Sequence, residues 1–423
     1  MTPGESPDRG YKWLVVGMLW FVCFFNYADR QAIFAVFPLI KQQLGLTDVQ
    51  LGIVGAAFMW IYALFGPLAG WLCDRLPRKT LVLGGLIAWS LVTALTALCH
   101  TYGQLVVCRG LSGLGEAVYL PASMSLIGDY HGAATRSRAM SIHQSSVYVG
   151  SIAGGAISGL VGQFYGWRWS FIIFGSCGLL FGLVVGKFLM EPSRGQQDAG
   201  TVSLPAAIGG GNLFHELKAL LASPIVRLLI LAFVGANFVA VVFLTWMPSF
   251  LYGKFHMSLS MAGLNGTMYL QLSSVVGVLC GGLLADYLAR KFAGGRMLTQ
   301  ALGLFLGIPF LFFTGWAASV PAVVLGMIGF GYCKGLYDAN IFASLYDVVA
   351  VRRRGIAAGM LNSLGWLGGG FAPIAIALAA NRYGMGPSIS GTAFVYCLSG
   401  LLMLLAARRT ILARSISPAG GPS

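Results

Sequence analysis

Stretches of about twenty apolar residues recur from one end of this 423-residue chain to the other. As a helix, a run of that length matches the hydrocarbon thickness of a bilayer. Twelve runs are legible, centred near Phe24, Ile61, Ile87, Gly115, Ile152, Leu179, Val239, Val275, Phe305, Lys334, Leu367 and Gly400. Composition agrees: 57% of residues are hydrophobic and 9% charged, where soluble domains carry about a quarter charged residues. A water-soluble core-and-shell fold is excluded, and an all-α integral membrane protein with twelve transmembrane helices is expected. The first twelve residues are polar and the apolar run after them is too long for a signal-peptide core, so no cleavable leader is expected.

The net charge of +14 raises the question of an acidic partner. Distribution answers it. Assigned to the twelve spans, twenty of the 27 Lys and Arg fall on the side that holds both termini. Four (Lys41, Arg168, Lys254 and Arg382) fall on the other side, and three (Arg30, Arg109 and Lys334) lie within spans. The positive-inside rule then puts both termini in the cytoplasm, and no nucleic-acid partner is needed. The eight cysteines are scattered without C-x-x-C spacing and read as small apolar residues. No metal-ligand or nucleophile constellation and no G-x4-G-K-[ST] loop occurs, so neither an enzyme nor an ATP-driven pump is indicated, and no metal or cofactor is expected.

A repeat runs through the chain. Gly70-WLC-Asp74-RLP-Arg78-Lys79 recurs 212 residues later as Gly282-LLA-Asp286-YLA-Arg290-Lys291. GLGEAVY, residues 113–119, aligns with GYCKGLY, residues 331–337, at an offset of 218, and at that offset Asp129 falls on Asp347. Two homologous six-helix halves are expected, residues 1–190 and 224–423. Between them lies a linker, 191–223, whose NLFHELKALLA segment has the leucine stripe of an amphipathic helix, either on the membrane surface or an ordinary connection.

Twelve spans in two repeats, with G-x3-D-R-x2-R-K after span 2 and its duplicate after span 8, resemble the major facilitator superfamily. The resemblance covers essentially the whole chain. It implies two pseudo-symmetric six-helix bundles around a central cavity that alternate access by rocking. The loop motif is read as a gate on the cytoplasmic side, formed by Gly70, Asp74, Arg75, Arg78, Lys79, Asp129, Arg138, Asp286, Arg290 and Lys291. Its charges can form ion pairs in one state only, and Gly70 and Gly282 would permit close helix approach. The bland alternative is a plain positive-inside anchor.

Six charged residues sit at membrane depth: Asp29, Arg30, Arg109, Glu116, Lys334 and Asp338. At about 1.5 Å per residue, Asp29 lies about 24 Å into span 1, level with Arg109, which is about 9 Å into span 4 from the opposite face. Glu116, about 20 Å into span 4, shares a helical face with Arg109, and Lys334 is its repeat equivalent. Two readings stand side by side. The charges are structural pairs, Asp29 with Arg109 and Lys334 with Asp338. Or Asp29 and Glu116 carry protons while Arg30, Arg109 and Lys334 attract an anion. Weaker expectations for substrate contact are Tyr119, Gln144, Tyr337, Asp338, Asn340 and Asn362. His143 is read as a hydrogen-bonded structural residue, Trp246 with Pro248 as a helix break or an interfacial anchor, and Gly150, Gly154, Gly155 and Gly159 as helix packing.

NY-x-DR (Asn26, Tyr27, Asp29, Arg30) and R-x6-E (Arg109, Glu116) are similar to motifs of the anion:cation symporter branch, and Gly115-Glu116-Ala117 with Tyr119 to those of spinster-like transporters. The resemblance implies proton coupling at Asp29 and Glu116 and substrate recognition at Arg30. The expected function is proton-coupled symport of a small organic anion, a sugar acid or carboxylate, by a chain that works as a monomer. The compact loops suggest a bacterial inner membrane. The alternatives are a spinster-type lysolipid carrier and a non-transporting sensor on the same fold.

Overall fold

The computed structural model describes residues 9–192, 213–350 and 353–416; the early part of the expected linker, 193–212, lies outside them. Among these residues, seventeen helices follow one another. They are α1 (Arg9–Ala35), α2 (Phe37–Leu44), α3 (Asp48–Arg75), α4 (Arg78–Thr96), α5 (Tyr102–Ala117), α6 (Tyr119–Tyr130), α7 (Ala133–Tyr165), α8 (Trp167–Phe188) and α9 (Leu213–Ala222). The second series is α10 (Pro224–Phe255), α11 (Leu259–Lys291), α12 (Gly295–Trp316), α13 (Val320–Asp338), α14 (Ile341–Tyr346), α15 (Arg354–Gly369), α16 (Ala372–Tyr383) and α17 (Met385–Ile416). Among the described residues, eleven helical stretches are long and apolar enough to cross a membrane. The expected fourth span is made of α5 and α6, each too short alone, meeting at Val118.

Proline explains most of the seams. Pro121 has no N–H, and its ring crowds the carbonyl four residues back, at Ala117, where α5 ends. Pro38 and Pro373 stand just inside α2 and α16, after the seams at Val36 and at Gly370–Phe371. The α13–α14 seam at Ala339–Asn340 has no proline. Pro67, Pro248 and Pro309 sit inside unbroken helices. The break expected at Pro248 is therefore absent. Nor is Trp246 an interfacial anchor: it is buried, and its indole N–H donates to the Pro373 carbonyl, 3.1 Å away.

Two compact units emerge: residues 1–47, 57–210 and 258–264 in one, and 48–56, 211–257 and 265–423 in the other. In the first, α1 packs along α7 and α4 along α8; in the second, α10 and α12 pack along α17. Small residues let these helices close up. A Cβ on Gly150 would meet the Phe24 carbonyl at 2.6 Å, so span 5 lies backbone to backbone on span 1.

The repeat reappears as matched packing. A Cβ on Gly113 would sit 2.5 Å from the Phe58 carbonyl, and one on Gly331 would sit 2.5 Å from that of Leu270. Gly85 approaches the Gly115 carbonyl as Gly303 approaches that of Cys333. Offsets of 212 in the second span and 218 in the third and fourth relate these pairs. The turns before the last span of each repeat match too. Gly166, at φ 90°, and Gly384, at φ 83°, are 218 residues apart and adopt a left-handed conformation that side chains resist.

The amphipathic segment forms α9, and it does not lie free. Leu220 is buried, and Glu216 accepts from Arg353 Nε at 2.5 Å, tying α9 to the start of α15.

Candidate functional site

Four charged side chains from two helices are buried together in the first unit. Asp29 and Arg30 come from α1, Arg109 and Glu116 from α5, and each is at most 8% exposed. Arg109 and Glu116 are seven residues apart, two helical turns, and so share a face. Arg30 Nε donates to Glu116 Oε2 at 2.5 Å. The expected Asp29–Arg109 pair does not form among the described residues. Asp29 Oδ2 instead accepts from the Thr93 hydroxyl of α4 at 3.3 Å.

Aromatic rings replace the water that these cations have lost. The Arg30 guanidinium lies 4.7 Å from the Tyr27 ring centroid, 4.6 Å from Tyr62 and 4.8 Å from Phe58. Arg109 is also 4.8 Å from the centroid of Phe58, so one ring serves two guanidinium groups. Such contacts are worth about 2 kcal/mol each when desolvated, which offsets part of the cost of burying a cation. Tyr27 carries the tyrosine of NY-x-DR; Phe58 and Tyr62, one turn apart on α3, were not legible as site residues because aromatic residues are abundant in every span.

The cluster holds two cations and two carboxyl groups. Arg109 interacts electrostatically with both Glu116 and Asp29. Among the described residues, however, its Nε and Nη2, the second carboxylate oxygen of Asp29 and that of Glu116 have no hydrogen-bond partner. Buried charged groups with spare donors and acceptors are the raw material of a binding or proton-transfer site.

Tyr119 and His143 stand beside this cluster as scaffold. The Tyr119 hydroxyl donates to the Leu19 carbonyl at 2.6 Å and contacts His143 Nε2 at 2.7 Å. His143 is a buried structural partner, as its lone position suggested. Gln144, one residue on, points elsewhere, into a cavity of about 520 Å³ lined by Met124, Arg136, Ser137, Met140 and Ser141.

The second unit carries a different arrangement. Lys334 pairs with Asp338 one turn along α13, as the spacing predicted. Tyr337 is buried, and its hydroxyl has no hydrogen-bond partner among the described residues. Asn340 Nδ2 donates to the Gly281 and Leu336 carbonyls, holding α11 to α13. Asn362 is half-buried on α15.

The loop-motif residues also find defined neighbours. Arg78 pairs with Asp129, both largely buried. The Arg78 and Lys79 backbone N–H groups donate to the Glu191 carboxylate at 2.8 and 2.6 Å, satisfying the first turn of α4 from the far end of α8. Arg75 stacks on Trp71 and Arg138 on Trp13, while Asp74 is exposed. Among the described residues, a Cβ on Gly70 or Gly282 would meet nothing within 4 Å, so neither glycine marks a close helix approach in this conformation.

In the second repeat the pair matching Arg78–Asp129 is Arg296–Asp347, with Nη1 donating to both carboxylate oxygens at 2.6 and 2.8 Å. Asp286 lies 3.6 Å from the same guanidinium. Arg290 is exposed and Lys291 contacts Tyr287, so neither fills the role of Arg78. The signal for Arg296 was present: it lies 218 residues after Arg78, as Asp347 does after Asp129. The offset of 212 that aligned Asp74 with Asp286 concealed it, because six extra residues separate Asp286 from Arg296.

The sequence profile of the Major Facilitator Superfamily matches residues 19–373. A relative named "Probable galactarate/D-glucarate transporter GudP" from Escherichia coli (strain K12) is 26% identical over 401 residues, spanning 88% of this chain and 87% of its own. "Protein spinster homolog 1" of Rattus norvegicus is 30% identical over 397 residues, 89% of this chain and 74% of its own. In fold, the chain is similar to a solved bacterial homolog of the human lysosomal transporter Spinster in an inward-facing, unoccupied conformation. The TM-score is 0.85 at 22% identity, over 97% of this chain and 100% of that one. A profile match over most of the length, on a multi-pass helical fold built as two repeats, makes this chain a member of the Major Facilitator Superfamily.

Proposed function

We propose that the chain carries a small organic anion, a sugar acid or other carboxylate, into the cell together with protons, by alternating access. The observation that carries this reading is the buried set Asp29, Arg30, Arg109 and Glu116, in which two N–H groups of Arg109 have no acceptor among the described residues. With both carboxylates ionised the four charges balance. Each proton taken up by Asp29 or Glu116 leaves one guanidinium charge uncompensated, and an anionic substrate can take that place. Protonating Glu116 also weakens its bond to Arg30, freeing a second guanidinium to meet the substrate. Release to a less acidic side reverses both steps. The sugar-acid names of relatives such as the Escherichia coli D-galactonate transporter support the substrate class.

In this reading the two halves, 1–190 and 224–423, are the moving bodies. Arg78–Asp129 and Arg296–Asp347 brace the gate on the side that holds the termini. The basic-residue distribution supports cytoplasmic termini, and the protein works as a monomer in a bacterial inner membrane. The test is uptake by proteoliposomes under an imposed pH gradient, with a panel of sugar acids, carboxylates and lysolipids. A sugar acid or carboxylate should accumulate. Asp29→Asn should abolish accumulation driven by the gradient while substrate exchange persists. Gradient-driven accumulation by that variant would remove Asp29 from the proton path, and uptake restricted to lysolipids would overturn the anion reading.

A further inference from the structure

We propose that Cys99 and Cys108 form a reversible disulfide that clips the corner between α4 and α5 and slows transport. Their sulfur atoms lie 3.6 Å apart and both thiols are free. A bond needs them about 1.5 Å closer, a shift within reach of side-chain rotation. The backbone around them is already set. Thr101 Oγ accepts from the Gln104 N–H, and the Gln104 side chain accepts from the His100 and Thr101 N–H groups at 2.7 and 3.1 Å, a capping box that starts α5. Arg168 Nη2 donates to the Cys99 carbonyl at 2.9 Å, anchoring the corner to α8. Both cysteines line a cavity of about 410 Å³ with Leu95, Leu98, Gly103 and Val107, which gives a small reagent access to the sulfurs.

The step is a two-electron oxidation. The two thiols lose two hydrogen atoms and gain one S–S bond, and a small-molecule disulfide is reduced to two thiols in exchange. The consequence for transport follows from sequence. Cys108 directly precedes Arg109, so the clip restrains the helix that carries two of the four buried charges. The inference rests on the proposed orientation, which places this corner on the outer, oxidising side of the membrane.

Both cysteines fall on one tryptic peptide, residues 80–109, so differential alkylation reads the bond directly. Purified protein in proteoliposomes treated with oxidised glutathione should yield that peptide lacking two hydrogens and refusing iodoacetamide. Dithiothreitol should restore alkylation at both sites. Substrate uptake should fall several-fold on oxidation and recover on reduction, and Cys99→Ser should be insensitive. Full alkylation after oxidation, or glutathione held on Cys108 alone, overturns the disulfide. Bond formation with unchanged uptake overturns its control of transport. Applied to sealed vesicles of known orientation, a membrane-impermeant disulfide should act from the outer face. Closure from the cytoplasmic face alone would reverse the orientation and leave the pair standing.

Discussion

The first unit buries four charges from two helices, whereas the second, on the helix that repeats α5, holds a lysine and an aspartate one turn apart. The scaffold beneath them is the same: Gly85 meets Gly115 as Gly303 meets Cys333, 218 residues on. The chemistry differs. Arg30 and Glu116 have side chains 10% and 0% exposed, whereas those of Lys334 and Asp338 are 15% and 33% exposed. A pair that shares its helix and keeps part of its solvation costs little to hold. A pair drawn from separate helices and caged in aromatic rings is strongly committed, since losing one partner strands the other. Duplication therefore preserved the backbone packing of the two repeats and not the charges placed on it.

The sharpest test of that contrast is removal of one partner in each unit. Glu116→Ala should destabilise the protein by about 3–5 kcal/mol, because it removes a buried carboxylate bonded to Arg30 and leaves the cluster with excess positive charge. Lys334→Ala should cost less than about 1 kcal/mol, as partly solvated pairs do. Thermal midpoints in detergent compare them, and equal losses would break the contrast. The shared scaffold predicts the opposite pattern for Gly113→Ala and Gly331→Ala. Each forces a methyl against a carbonyl 2.5 Å away and should cost a similar 1–3 kcal/mol or so in either unit. A loss in one and not the other would deny the repeat its equivalence there.

At the loop motif, Arg296→Ala and Arg78→Ala should both impair transport, and Arg290→Ala should leave it near wild type. Uptake rates decide, and a severe Arg290→Ala defect would restore the simpler alignment at offset 212. The smallest effect concerns His131, between α6 and α7, whose ring meets Thr135 and the Lys12 carbonyl. Burial lowers its pKa from the usual 6.5. Protonation is thus easier in the unfolded chain, so stability should decline as pH falls through about 6.5 and level off below the folded value. His131→Asn should flatten that decline, which pH-resolved melting curves would reveal.

Much of this was legible in the residues. Hydropathy marked the spans because the bilayer imposes a length, and the repeat was visible because its charged and glycine residues stand out at fixed spacing from apolar helices. The partner of Arg30 was not. Rise per residue fixes depth and leaves azimuth open: Asp29 and Arg30 are neighbours in sequence but point about 100° apart around the helix. Level with Asp29 by depth, Arg109 instead stacks on Phe58. The deeper Glu116 is reached by the longer Arg30 side chain. The seam at Val118 had a signal in Pro121, and the seam at Ala339–Asn340 had none.

The clasp between Glu191 and the first turn of α4 has a practical consequence. It joins the end of the sixth span to the start of the third, so a polypeptide divided just after Glu191 keeps this bond within its first fragment. The two pieces, expressed separately, offer a route to reconstitution by complementation, with each half labelled or varied alone. Cutting before Glu191 would strip α4 of that carboxylate and should yield a first fragment that assembles poorly.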